Sequence, residues 1–514
     1  MEKEFLTDKA ISSLYSESVG EYSLPDYHTD VKKLLLIKVR AVPSGKFINS
    51  DSIEFSGTVC YDIVYLDSEN RVTGCAFSTD YEVAVKCQSD GIKDSFADTR
   101  VANFSVRLVG PRRFTTKASL NSSVHIIEPV EYAVAGDGAE GAGVQTLNRC
   151  ACVRQAVFGE ERGAEQNTTL AELEGVIADE CEVIAVIAEP RVTSHARVDG
   201  GVEYQGEVAV SALVNTGAEA PLVYKKAVPV SGNVECEGVD AGTELLVSLT
   251  ADSARVTVNA TEDGVELALT LTTSAAVRGF SNEKVELVTD LYRTDVPVEN
   301  EYADFTYTEH ITAHRECVTF SETVNRAEEG SENIRNFLLS VAEPRIDVAE
   351  PVDGGVKIKG DIRFSGVACE VFEDGSLGYS SVKYTVPFEQ NVNINCQIPE
   401  GAHINCAAEC RDAALTLDGG KVYLDCRVQL DLISDAQRRV GCVASCSVSG
   451  EPFAKCGSVI TVYYPEAGES LFGIAKRYHT SVGAIAEDNS LSESVFSDLS
   501  SPILSSGVKR LIIK

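Results

Sequence analysis

Ala188-Glu189-Pro190-Arg191-Val192 recurs downstream as Ala342-Glu343-Pro344-Arg345-Ile346. At the same spacing Val198-Asp199-Gly200-Gly201-Val202 returns as Val352-Asp353-Gly354-Gly355-Val356, and Tyr204-Gln205-Gly206-Glu207-Val208 as Ile358-Lys359-Gly360-Asp361-Ile362. Ungapped matches at one fixed spacing are the signature of a copied structural unit. A first, more divergent copy aligns on Phe55-Ser56-Gly57-Thr58-Val59-Cys60-Tyr61, and upstream of it Asp30-Val31-Lys32-Lys33-Leu34-Leu35 parallels Asn333-Ile334-Arg335-Asn336-Phe337-Leu338.

The repeated unit reads as β. Phe55, Gly57, Val59, Tyr61, Ile63 and Tyr65 alternate with Ser56, Thr58, Cys60, Asp62 and Val64. That period of two puts one set toward a core and the other toward a wetter side. Turn signals punctuate the strands at Asn49-Ser50-Asp51-Ser52, Asp199-Gly200, Asp353-Gly354, Asp67-Ser68-Glu69-Asn70 and Glu373-Asp374-Gly375. Ala414-Leu415-Thr416-Leu417-Asp418-Gly419-Gly420-Lys421-Val422-Tyr423-Leu424 is a hairpin. The expected fold is mainly β, with three tandem sandwich- or barrel-like repeats followed by a small βααβ domain. The expected boundaries are an N-terminal tail at 1–22 and repeats at 23–135, 166–295 and 326–456. Segment 136–165 reads as a Gly-rich joint and lead-in, 296–325 as a second lead-in, and 459–514 as the terminal module.

Composition narrows the function. The chain has 514 residues with 45 Lys and Arg against 78 Asp and Glu, a net charge of -33. Such acidity opposes nucleic acid and anionic membrane surfaces. The segment 459–514 holds five basic and six acidic residues, so the excess sits in the repeats. Met1-Glu2-Lys3-Glu4-Phe5-Leu6-Thr7-Asp8 has no apolar core of a secretory signal, and no run is long enough to span a bilayer, so a cytoplasmic protein without membrane insertion is expected. The 16 cysteines are then expected as thiols, most of them small buried hydrophobes.

No catalytic constellation emerges. Gly136-Asp137-Gly138-Ala139-Glu140-Gly141 spells a dinucleotide pattern, but Asp137 and Glu140 would repel phosphate and more glycine follows where a helix is needed, so it reads as a linker. His310, His314 and Cys317 lack a fourth ligand nearby, His403, Cys406 and Cys410 form a similar trio, and Cys150-Ala151-Cys152 reads as two small residues facing a core. Nucleophile elbow, Walker loop and zincin helix are all missing from the sequence. A non-enzyme without cofactor or metal is expected.

The C-terminal stretch is the sharpest signal. Val459-Ile460-Thr461-Val462 leads through Glu466-Ala467-Gly468-Glu469 into a helix with Leu471, Ile474, Ala475 and Tyr478 on one face. Ser470 is placed to cap it. A second helix from Ser481 buries Val482 and Ile485, and Val508-Lys509-Arg510-Leu511-Ile512-Ile513 closes the unit. This β-α-α-β order resembles a LysM module, and LysM modules bind. The first turn (Gly468, Glu469, Ser470, Leu471, Phe472) and the second wall (Asp488, Asn489, Ser490, Leu491) would form its groove for a protein partner or glycan. Phe472 is the expected contact residue. Asp488 replaces an apolar residue usual in the family, and the Ser-rich stretch from Ser490 to Ser506 enlarges the second wall.

The repeats resemble the SPOCS domain of spore-coat morphogenetic proteins, on Leu24-Pro25-Asp26-Tyr27, Asp30-Val31, Leu34, the Phe55–Val59 strand and Arg107-Leu108-Val109-Gly110-Pro111-Arg112-Arg113. Repeated SPOCS units followed by one LysM module resemble an adaptor of endospore formation. That resemblance implies a mother-cell protein at the forespore surface, with a coat-morphogenetic ATPase and coat proteins as partners. Peptidoglycan, an N-acetylglucosamine polymer of cell or spore wall, is the alternative partner of the groove.

Overall fold

The computed structural model describes residues 2–87, 91–325, 333–453, 460–491, 499, 503 and 507–514. The first repeat contains β1 (Glu2–Ser23), β2 (Val31–Ile48), β3 (Ser52–Asp67), β4 (Val72–Lys86), β5 (Asp94–Gly110) and β6 (Arg113–Ala133). The second contains β7 (Val144–Glu174), β8 (Glu182–Val198), β9 (Gly201–Asn215), β10 (Leu222–Glu235), β11 (Glu244–Ala260) and β12 (Gly264–Arg293). The third contains β13 (Val298–Asn325), β14 (Ile334–Val352), β15 (Gly355–Val371), β16 (Leu377–Asn393), β17 (His403–Asp418) and β18 (Lys421–Val448).

Each repeat folds the same way. Strands two to four form an antiparallel meander, and the first, sixth and fifth form a second three-stranded sheet in the order β1-β6-β5, with β7-β12-β11 and β13-β18-β17 as its counterparts. The expected turns sit where the sequence places them. Val198 pairs with Gly201 and Val352 with Gly355, leaving Asp-Gly as a two-residue loop each time. Gly200 and Gly354 both adopt φ of 79°, which a side-chain-bearing residue resists. The two sheets of a repeat share one core. In the first, Val59, Tyr61, Ile63 and Tyr65 are fully buried against Phe114, Ala118, Leu120 and Val124. Each such side chain contributes roughly 1.5–3 kcal/mol when fully buried.

Three segments differ from expectation. The tail at 1–22 is β1, paired with β6 from Glu2↔Ala133 to Ser23↔Arg113. The lead-in within 136–165 is the start of β7, and 296–325 is essentially β13. Their strand character is muted in sequence because each is an edge strand with one hydrogen-bonded neighbour, and β7 carries a mostly exposed Glu160–Gln166 stretch in its middle. The joint at Gly136 to Gly143 is also not a free linker. It packs on β18, where Ala135 bridges Ser445 and a Cβ on Gly136 would lie 2.2 Å from the Cys446 carbonyl oxygen. Its glycine serves close approach. Likewise Ala151 is the residue that faces a core, whereas Cys150 is exposed and Cys152 half-buried.

The repeats pack on one another about a common axis. Leu35, Ile184 and Leu338, at matching positions of β2, β8 and β14, meet with Val64, Leu213 and Val367 of β3, β9 and β15. Ile127, Phe280 and Ile433, at matching positions of the last strands, meet in a second apolar cluster. Two residues before each lie His125, Arg278 and Asp431, the start of a buried ionic layer that ties all three repeats. Asp8 accepts from His125 Nδ1 at 2.9 Å and from Arg154 at 2.8 Å. Arg154 also reaches Asp435 at 2.6 Å, and His310 bonds Asp435 at 3.2 Å and Glu244 at 3.1 Å. Arg315 clasps Asp431 through two nitrogens at 2.6 and 2.7 Å.

Burial opposes the charges of Asp8, Asp431 and His310, and their partners outweigh it. Burial pushes the Asp8 and Asp431 carboxyls up, but His125 and Arg154 around Asp8, and Arg315 and Arg278 around Asp431, hold both below the usual carboxylate range. For His310, burial favours the neutral ring, yet donation to Asp435 and Glu244 holds it above its ordinary 6.5. A raised group stabilises the fold below its unfolded pKa, and that contribution fades as pH climbs through the folded value. The urea midpoint should therefore fall as pH rises above about 6.5. His310→Gln should lack that part of the fall, and identical pH profiles would show that His310 carries no charge in the fold. Arg154→Met removes the cation shared by Asp8 and Asp435, leaving them only His125 and His310, and should cost about 3–5 kcal/mol by chemical denaturation.

Candidate functional site

The terminal module has the expected order. β19 (Thr461–Tyr463) pairs antiparallel with β20 (Leu511–Ile513), and α1 (Leu471–Arg477) and α2 (Val482–Asp488) lie between them in the chain. Ser470 Oγ accepts from Gly473 N at 3.1 Å and Ser481 Oγ from Ala484 N at 3.0 Å, so both helices begin on serine caps. Leu471, Ile474, Ala475, Val482, Ile485, Leu511 and Ile513 form the core.

The residues of the first turn hold the turn itself. Gly468 adopts φ of 91°, which favours glycine. Glu469 accepts from Tyr463 Oη at 2.6 Å and Glu466 N at 2.9 Å and pairs with Arg477 at 2.7 Å. The Tyr463 hydroxyl, then the Glu466 amide, hold its carboxyl below the usual range. Ser470 is a cap and Leu471 is core. In the segment expected as the second wall, Asp488 pairs with Lys514 at 2.7 Å. Asn489 Nδ2 donates to Ile485 O and Ile512 O, and its Oδ1 accepts from Ile512 N at 2.6 Å, which stitches the end of α2 to β20. Ser490 has φ of 51° and Leu491 is half-buried in the module core. The two walls meet, since Ile503 N donates to Glu469 O at 2.8 Å. Of the Ser-rich stretch, Ser490, Leu491, Leu499 and Ile503 are described, and the rest lies outside the described residues.

Phe472 departs most from expectation. It is 2% exposed, with its ring 5.0 Å from that of Tyr292 at 74°, edge to face. Tyr292 lies near the end of β12 in the second repeat, and its hydroxyl donates to Thr480 O at 2.8 Å. Lys476 Nζ reaches both oxygens of Asp290 at 2.7 Å, and Leu147 of β7 completes the contact. Burial, then Asp290, pushes the Tyr292 phenol up. The residue after the turn leucine faces the repeats here, against Tyr292 and Leu147. Elsewhere in the module Ile460, Val462, Tyr464 and Ile512 are exposed.

The other candidate ligand groups are structural. His310 of β13 is bound to Glu244 and Asp435, and His314 of the same strand is half-buried beside Glu316. Among the described residues no group of three or more His, Cys, Asp or Glu side chains is arranged to hold a metal ion. No helix among the described residues is long and apolar enough to cross a membrane.

Removing the Tyr292 ring deletes both its edge contact and its hydrogen bond to the module. Tyr292→Ala should speed amide exchange in α1 at least tenfold, about 1.4 kcal/mol, and unchanged exchange would mean that the module stands without the second repeat. Phe472→Ala should cost about 3–5 kcal/mol in stability of the module and its docking.

No curated protein and no solved structure matches the chain. Residues 466–495 match the LysM domain model, on the first turn, both helices and the second wall described above, so the chain carries a C-terminal LysM module, a binding module rather than a catalytic one.

Proposed function

We propose that the protein is a non-enzymatic adaptor of endospore formation, tethering coat components to the forespore surface through its LysM module. The observation that carries this reading is the seat of the module. Phe472 against Tyr292 and Lys476 against Asp290 fix it to a platform of three mutually packed repeats. A tether transmits position only if its binding end and its body move together. The order of three β repeats before one LysM module, and the SPOCS-like motifs in the repeats, supply the sporulation setting. In that setting the protein works in the mother cell, with the coat-morphogenetic ATPase and coat proteins as partners. The large acidic excess of the repeats suits basic partner surfaces.

A second reading rests on the family match at 466–495, because LysM modules take peptidoglycan- or chitin-type carbohydrate. The groove between the Gly468–Ser470 turn and the Asn489–Leu491 wall would then hold N-acetylglucosamine units. Calorimetric titration of the full chain with the N-acetylglucosamine hexamer separates the two, with a sugar-binding LysM protein as positive control. Absence of heat from the folded chain, with a responding control, is the outcome expected of a protein-docking module. Saturable heat would overturn that reading and assign the groove to glycan.

A further inference from the structure

A cavity of about 500 Å³ lies on the axis between the three repeats. Its walls are the stretches at 38–43 of β2, 188–190 of β8 and 342–345 of β14, with the inner parts of β5, β11 and β17. The recurring Ala-Glu-Pro motif thus lines it twice, and Val39-Arg40-Ala41 takes the matching place in the first repeat. Its volume falls within the range of small-molecule sites.

The charge of the lining is unlike the rest of the chain. Seven Lys and Arg face six Asp and Glu here, whereas the whole sequence has 45 against 78. The carboxylates are largely engaged. Glu189 takes Lys38 Nζ at 3.1 Å and Asp412 N at 2.7 Å. Asp98 is held by Arg100 at 3.0 Å and Arg278 at 3.1 Å, and Glu409 by Arg100 at 3.3 Å and by Arg411. At the matching positions the second repeat offers neutral Ser248 and Thr250.

Donors are what remain. Arg40 and Arg411 each keep a buried Nε without a hydrogen-bond partner, while Arg40 Nη1 pairs with Asp62 and Arg411 Nη2 with Glu409. Arg363 and Lys383, on the outward face of β15 and β16, make no ion pair or hydrogen bond among the described residues. Glu343 sits opposite Arg363 in the pairing of β14 with β15. Burial pushes its carboxyl up against the pull of Lys38, Arg363 and Lys383.

We propose that this cavity binds a small acceptor-rich anion, a phosphate- or carboxylate-bearing molecule, through Arg363 and Lys383, with Arg40 and Arg411 adding positive charge to the same lining. A guanidinium and an ammonium group that line a cavity without an ion-pair partner, as Arg363 and Lys383 do, are the groups that recognise such anions. The site is independent of the LysM groove and of what that groove binds.

The test is calorimetry of the full chain with inorganic pyrophosphate and, separately, with citrate. Saturable binding of at least one is expected, and which of them binds tells phosphate from carboxylate. The double variant Arg363→Ala/Lys383→Ala removes exposed side chains and should weaken that binding at least tenfold. Lys225→Ala/Arg255→Ala, on exposed positions of the second repeat, should leave it unchanged. Glu343→Gln should strengthen it. Failure of both probes to saturate, equal weakening by the two double variants, or weaker binding in Glu343→Gln would overturn the proposal.

Discussion

Pairing of the first strand of each repeat with its last is the constraint on which the rest of the molecule depends. Glu2 meets Ala133, Val144 meets Arg293 and Val298 meets Val448. Each closure spans the whole repeat, so its loop entropy must be offset by contacts that form together with it. In return, the closing strands do two things. They complete the sandwich core, and they run on past it: β7 is 31 residues long and β12 is 30. The overhanging ends meet their counterparts from the other repeats, where Phe5, Tyr132, Leu287, Leu291, Val440 and Val443 form a further shared core. Tyr292, the seat of the LysM module, is carried on the same overhang. Intra-repeat closure, inter-repeat packing and module docking are therefore linked in that order.

The ionic layer at the axis has a different character from the apolar clusters beside it. Asp8 and Arg154 are almost wholly withdrawn from water, and the cost of dehydrating them offsets most of their attraction. Apolar triads such as Ile127, Phe280 and Ile433 supply cohesion without direction. The ion pairs supply direction, since Arg154 is satisfied only when β1 and β18 both present their aspartates.

The β character was legible because the inner strands alternate strictly, from Phe55 to Tyr65, and because Asp-Gly turns leave a chemical mark. What escaped was whatever depended on partners distant in sequence. β1, β7 and β13 are edge strands, so half of their backbone and much of their surface is free of the pattern that buried strands show. Val64 and Leu66 interrupt the alternation because they pack on neighbouring repeats, and a sequence cannot say which apolar residue faces a sister domain. In the LysM module, the caps and core at Ser470, Leu471, Ile474 and Ile485 followed from local spacing. The burial of Phe472 did not, because its neighbour Tyr292 is far away in the chain and leaves no periodic trace. The Ala-Glu-Pro recurrence was visible as a repeat, but its place around a central cavity belongs to tertiary structure.

Three copies of one fold arranged around an axis look like a trimer, yet the copies share a single chain. In a ring of identical subunits, any residue on the axis meets two replicas of itself. An aspartate there would face two aspartates, and an arginine two arginines. Covalent fusion lifts that prohibition. The position that is His125 in one copy is Arg278 in the next and Asp431 in the last, so that Arg278 meets Asp431 at 3.5 Å where symmetry would demand like against like. Divergence after duplication has thus converted a site of unavoidable self-repulsion into one of mutual neutralisation. It has also given each third of the ring an address that the other two cannot occupy.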